Sequence, residues 1–168
     1  VDDAVVERAL KAAIAAPNHK LTNPWRFTRI GEETQASITE LYLDLKRESK
    51  GELSDDQVRE YRQKIGGPPV VIAVSQALDD DPFRRKEDYA AVACAVQNLM
   101  LSMFNDGIST KWSTGSVTRH DETYRMLDID PDRQEIVGFV FAGLPREDHR
   151  DTPKPGRKPL SEVVRQVP

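Results

Sequence analysis

Three stretches of this sequence combine residue types that could hold a ligand. The first, residues 15–27, reads Ala-Ala-Pro-Asn-His-Lys-Leu-Thr-Asn-Pro-Trp-Arg-Phe, a polar loop bracketed by Pro17 and Pro24 in which His19 and Asn23 offer hydrogen-bonding groups. Such a loop can set polar side chains and free backbone amides around a flat molecule. The second stretch, Trp112-Ser113-Thr114-Gly115-Ser116, has small side chains that leave its N–H groups accessible. The third, Lys154-Pro155-Gly156-Arg157-Lys158, is a local cationic cluster in an acidic protein, and an arginine fork there suits a phosphate. Each has a plain alternative when taken singly: His19 bonding its own turn, Trp112 in the core, the basic cluster as a solvated tail.

Other chemistries are excluded by residue type and spacing. Ser113 to Ser116 lacks the Gly-x-Ser-x-Gly pattern of a nucleophile elbow. No glycine-rich dinucleotide or phosphate loop follows a strand pattern. Asp79, Asp80 and Asp81 stand at a helix start, where capping explains acidic residues. The histidines His19, His120 and His149 are far apart and pair with no cysteine, which argues against a structural zinc and leaves no metal site expected. Cys94, the single cysteine, sits in an apolar helical run and reads as a small buried hydrophobe; it rules out an internal disulfide and fits a reducing compartment. The formal charge of -4 argues against a nucleic-acid partner. No apolar run approaches the ~20 residues of a membrane helix. The acidic opening residues are unlike the positive start of a signal peptide, so a cytoplasmic location is expected.

The elements that position the loops follow from periodicity. Asp2 and Asp3 cap a helix whose apolar face is Val5, Val6, Ala9, Leu10, Ala13 and Ile14, and Pro17 ends it. Residues 25–30 read as a strand with Trp25 and Phe27 on one face. Helical spacing resumes over 34–49, and Ser54 caps a short helix holding Val58, Tyr61 and Ile65. Val70 to Val74 is a continuous β-branched run, the pattern of a strand buried on both faces. Residues 86–105 form the longest helical segment, alanine-rich and apolar nearly all round, so that it needs cover on every side and a partner subunit can supply it. Gly107 is the expected residue just past its end. Further strands are read at 108–112 and 135–143, with a short helix at 121–127 between them. These runs describe a central sheet between helices and leave the strand direction open. One domain is expected over 1–168, with the proline-rich residues 146–168 an extended C-terminal tail that packs over something.

Taken in order, Ala-Pro-x-His-Lys-x-x-x-Pro-Trp-Arg-Phe, the alanine-rich helix, Gly-Ile-Ser-Thr-Lys-Trp-Ser-Thr-Gly, Ile-Val-Gly-Phe-Val-Phe-Ala-Gly-Leu-Pro and Pro-Gly-Arg-Lys-Pro-Leu-Ser-Glu-Val-Val resemble the FMN-dependent nitroreductase family, in its short-chain bacterial NAD(P)H nitroreductase type. The resemblance implies an α+β fold, with a central, mostly antiparallel sheet sandwiched by helices in three α/β/α layers. It implies FMN as cofactor, NAD(P)H as electron donor and a nitroaromatic or quinone-like small-molecule acceptor. His19 matches a flavin contact, Asn23 a polar position before Pro-Trp, and Trp112, Ser113 and Thr114 the segment against the isoalloxazine. Arg157 matches a basic residue for the FMN phosphate, with Lys154 or Lys158 assisting. Residues 86–105 match a homodimer helix, which places two flavins at the subunit interface; because the flavin carries the chemistry, no catalytic side chain is named. Two departures stand out. The family's Arg-Arg-Ser-like opening segment is not in this sequence, which begins at the helix cap, and Ser113 stands where relatives carry Arg. A flavin-binding or cofactor-free member acting as a sensor or partner protein, without reductase activity, is the competing reading.

Overall fold

The computed structural model describes residues 1–145 and 156–167. Helix α1 (Asp3–Ile14) starts where expected, the Asp2 carboxylate accepting a hydrogen bond from the Ala4 N–H at 2.8 Å. Strand β1 (Trp25–Arg29) follows the first loop. Helices α2 (Glu32–Lys50) and α3 (Asp55–Gly66) come next, α3 opened by a capping box between Ser54 and Gln57. Then come β2 (Val70–Ala77), α4 (Pro82–Asn105), β3 (Ser109–Ser113), α5 (Asp121–Met126), β4 (Gln134–Gly143) and a single turn, α6 (Leu160–Val163).

The sheet runs β1-β2-β4-β3, and every pairing is antiparallel. Alternation along β2 assigns its side chains to two cores. Val70, Ile72 and Val74 join Val6, Ala9 and Ala13 of α1 and Val92, Ala95, Val96 and Leu99 of α4. Val71 and Ala73 point the other way, to Ile38, Tyr42 and Leu43 of α2 and Tyr61 and Ile65 of α3. The result is the three-layer α/β/α arrangement of the α+β class. The apolar run at 70–74 therefore reflects cover on both faces, whatever the strand direction.

Helix α4 begins at Pro82, where the acidic run at 79–81 starts it: the Asp81 side chain accepts from the Phe83 N–H at 2.9 Å and Pro82 occupies the first turn. It ends as expected at Gly107 (φ 77°), where the Ile108 N–H bonds the Met103 carbonyl and the Gly107 N–H that of Phe104. Its inner face is Ala91, Val92, Ala95, Val96, Leu99 and Met103, all buried. The same period turns Phe83, Ala90, Cys94, Gln97, Leu101 and Phe104 outward. Phe83 is 69% exposed, Leu101 55% and Phe104 75%. Cys94 is thus exposed on the protomer, against the expectation of burial, since the alanine-rich run hides which phase of the helix faces the sheet.

Beyond the sheet, residues 156–167 lie exposed, with Leu160, Val163, Val164 and Val167 all open to solvent. The tail packing expected from sequence is not found for these residues on their own protomer, where each of these apolar side chains points to water. Lys154 falls outside the described residues.

Candidate functional site

The second loop owes its shape to an irregularity in β4. Val74 of β2 pairs with Gly138, but the next residue, Ser75, pairs with Ile136, so Val137 is an extra residue, a β-bulge. On the other side β3 pairs only as far as Ser113 with Phe139, and the chain leaves the sheet there. Bulges terminate pairing in this way. Gly138 is also required by crowding: a Cβ on it would lie 2.4 Å from Trp112 Nε1 and 2.9 Å from the Ser113 carbonyl oxygen. Trp112 therefore lies close over the β4 backbone, half-buried, its Nε1 buried without a hydrogen-bond partner among the described residues. The released chain runs through Thr114 and Gly115 into a 3-10 turn, Ser116–Arg119. Thr118 Oγ1 ties that turn, accepting from the Gly115 N–H at 3.3 Å and donating to the Gly115 carbonyl at 2.9 Å.

Two hollows flank this loop. One, about 120 Å³, is lined by Ser113, Thr114, Phe139, Tyr42, Lys46 and Lys64. Its cations lean on rings: Lys46 Nζ is 5.1 Å from the Tyr42 centroid and Lys64 Nζ 5.6 Å, with Lys64 donating to the Tyr42 hydroxyl at 3.2 Å. Tyr42 meets Tyr61 edge-on at 5.8 Å. Lys50 donates to the Tyr61 hydroxyl at 2.9 Å, and that bond holds its ammonium above the ordinary lysine value. The second hollow, about 220 Å³, is lined by Tyr89, Thr114, Gly115, Arg119, Glu135 and Val137. Glu135 is fixed there by the buried Gln76, whose Nε2 donates to it at 2.9 Å. The largest hollow, about 950 Å³, lies elsewhere, between α2 and α3. It is a broad groove crossed by the Arg62–Glu40 ion pair and lined by none of the residues predicted from sequence.

The first loop is strained and docked. His19–Leu21 make a 3-10 turn, and Lys20 (φ 52°), Leu21 (φ 55°) and Asn23 (φ 47°) are left-handed without being glycine. Such residues cost on the order of 1 kcal/mol or more each and persist only where their surroundings hold them. Inside the loop, the Asn23 N–H donates to Asn18 Oδ1 at 2.9 Å and Asn23 Nδ2 to the Leu21 carbonyl at 2.8 Å. Outside it, Thr22 Oγ1 donates to Asp88 Oδ1 of α4 at 2.6 Å, and His19 Nδ1 stands 3.7 Å from Glu87 Oε1. The turn of α4 that takes the first loop at Glu87 and Asp88 also presents Tyr89 to the second hollow.

Of the residues predicted from sequence, Ser113 and Thr114 line the first hollow and Thr114 the second, while Trp112 precedes them in β3 and lines neither; His19 faces Glu87 of α4 from the first loop, and Asn23 is bonded within that loop and to Arg26. Arg157 lines neither hollow; its guanidinium donates to the Gly156 carbonyl at 3.2 Å. Sequence reasoning missed Tyr42, Lys46, Lys64 and Asp88. The first two were findable as an i,i+4 pair on α2; the approach of α3 and of the first loop was not.

The nitroreductase family model matches residues 1–144. YfhC of Bacillus subtilis strain 168, whose assignment as an NAD(P)H nitroreductase is provisional, is 27% identical over 148 residues, covering 88% of this chain and 76% of its own. A nitroreductase-like family protein from Bacillus cereus superposes with a TM-score of 0.81 at 22% identity, covering 99% of this chain and 86% of its own. The FMN and NADPH-dependent nitroreductase NfnB from Sphigopyxis sp. strain HMH superposes with a TM-score of 0.79 at 17% identity, covering 100% of this chain and 91% of its own.

Proposed function

This chain belongs to the nitroreductase family, and from that premise we propose that it is an oxidoreductase that binds FMN and carries electrons from NAD(P)H to a nitroaromatic or quinone-like acceptor. The observation that supports this most is the loop from Ser113 to Ser116, released beside the bulge at Val137 and set between two hollows, one of them cationic. Bound FMN would supply the two-electron chemistry. The protein's part is to bind and orient it. Small side chains at Ser113, Thr114 and Gly115 let a flat ring come close to the backbone. Lys46 and Lys64 put positive charge beside that loop, which favours a ring that becomes negative on reduction. These residues are what supports reading the loop as one side of a flavin site. His19 and Asn23 would add polar contacts from the first loop, and Trp112 an apolar wall. No side chain need act as acid or base, because water can protonate the product.

The outer stripe of α4 supports a homodimer through the 86–105 helix, whose first turn begins at Pro82. Burying Phe83, Leu101 and Phe104 against a second copy is worth about 1.5–3 kcal/mol for each side chain. We assign the exposed apolar tail to the same assembly, with Arg157 meeting the FMN phosphate in the site shared with the partner and Lys154 or Lys158 assisting. A cytoplasmic enzyme of one domain is the setting in which we place it; among the described residues no helix is long and apolar enough to cross a membrane.

The test is optical. Full-length protein should be yellow, or become so on FMN addition, and its flavin bands should bleach with NADH or NADPH. A yellow protein that neither nucleotide bleaches would be a flavin-binding sensor or partner protein. A colourless protein that takes up no FMN would end the reading altogether.

A further inference from the structure

The first loop holds its left-handed residues with bonds that are mostly its own. Asn18 and Asn23 brace the turn from within, and Arg26 Nη1 of β1 donates to the Asn23 carbonyl at 3.0 Å. A short turn with few bonds to its surroundings is held in place by those few. One hydrogen bond joins it to α4: Thr22 Oγ1 to Asp88 Oδ1, at 2.6 Å. That bond is short, and its acceptor residue is only 4% exposed, so water does not compete for it. Asp88 is one of the few buried polar residues of the molecule, on a helix whose other inward side chains at 91, 92, 95 and 96 are alanine and valine. A buried carboxylate in an otherwise apolar row costs stability unless a partner satisfies it. Core packing does not explain an acid here; the loop does.

We infer that Asp88 is a positioning residue: through the Thr22 hydroxyl it holds the 19–23 turn against α4, so that His19 and Asn23 stand where a flavin bound to the proposed site would meet them. Thr22 is the middle of three consecutive couplings, with its N–H on the His19 carbonyl at 3.3 Å and its neighbour Asn23 bonded back to Asn18. Removing the one hydroxyl leaves the turn with no hydrogen bond to α4, so that its internal bonds, that of Asn23 to Asn18 included, open more often. Neither Thr22 nor Asp88 needs to touch the ligand. The inference rests on the proposed FMN site, but its structural half can be read without any flavin.

The experiment compares Thr22→Val, Thr22→Ser and wild type in the full chain. In cofactor-free protein, exchange of the Asn23 amide is followed by NMR against the Leu99 amide of the core. Thr22→Val should speed Asn23 exchange tenfold or more while Leu99 is unchanged, and Thr22→Ser should restore it. With FMN present, Thr22→Val should weaken binding about tenfold and Thr22→Ser less than threefold. Should Thr22→Val not fold, Thr22→Ala makes the same cut with less bulk. Asn23 exchange unchanged in the hydroxyl-free variant, or lost equally in Thr22→Ser, would overturn the inference. Equal acceleration at Leu99 would do so too, since it marks a general loss of stability. A wild type that binds no FMN would overturn the proposed function instead, and would leave the exchange result standing.

Discussion

The outer faces of α4 and of α2–α3 look outward from opposite sides of one sheet and are made of opposite materials. On α2 and α3 the outward residues are charged and paired: Arg47 with Asp44 at 2.7 Å, Arg62 with Glu40 at 3.1 Å, and Arg59 with Asp56. Exposed pairs of this kind contribute little stability, about 0–1 kcal/mol, but they suit water and need nothing further. On α4 the outward residues include Phe83, Ala90, Cys94, Leu101 and Phe104, with Gln97 among them. Such a face is rare on a finished monomer. The difference teaches that the two helical layers are finished differently: one outer face suits water as it stands, and the other is the face the proposed homodimer would cover.

The largest effect should come from the apolar face. Leu101→Arg with Phe104→Asp should leave the protomer's helical signal in circular dichroism intact, because both side chains are already exposed. Sedimentation should find a monomer, and FMN affinity should fall a hundredfold or more. A variant that stays dimeric and yellow would break the comparison. The bulge between the two layers is the next place to press. Gly138→Ala forces Trp112 or the 113–114 loop to move and should cost about 1–3 kcal/mol in denaturant unfolding, with a changed tryptophan emission. An unchanged emission would mean that the ring is not held as described. The smallest effect is expected on the charged face, where Arg62→Ala should shift stability by less than about 1 kcal/mol and leave both oligomeric state and FMN binding untouched.

Much of this was legible in the residues, for reasons that can be named. Capping at Asp2, Ser54 and Asp81, and the stop at Gly107, are local, so the helices could be read almost to their ends. The loop after Trp112 was legible because small residues follow an aromatic strand. What stayed hidden is what depends on a neighbour. The phase of α4, and with it the exposure of Cys94, is set by α1, whose Ala9 and Ala13 choose the inner face. The bulge at Val137 is a property of register against β2, and Gly138 within an apolar strand gives only a hint of it. Lys46 and Lys64 meet because α3 folds back along α2, and Asp88 meets Thr22 across 66 positions.

The strand order β1-β2-β4-β3 has a consequence for the birth of the protein. No adjacent pair of strands in it is joined by a tight hairpin: helices intervene between β1 and β2, between β2 and β4, and between β3 and β4. No turn can set the register, so pairing has to wait for docked helices, and folding belongs to the slower, non-local regime. The strand that fills the centre, β4, is also the last of the described strands to leave the ribosome. At about 5–20 residues per second, one edge of β2 stays open for several seconds after it emerges. A nascent chain stalled between residues 77 and 134 would carry that bare apolar edge, and would be a ready client for chaperones.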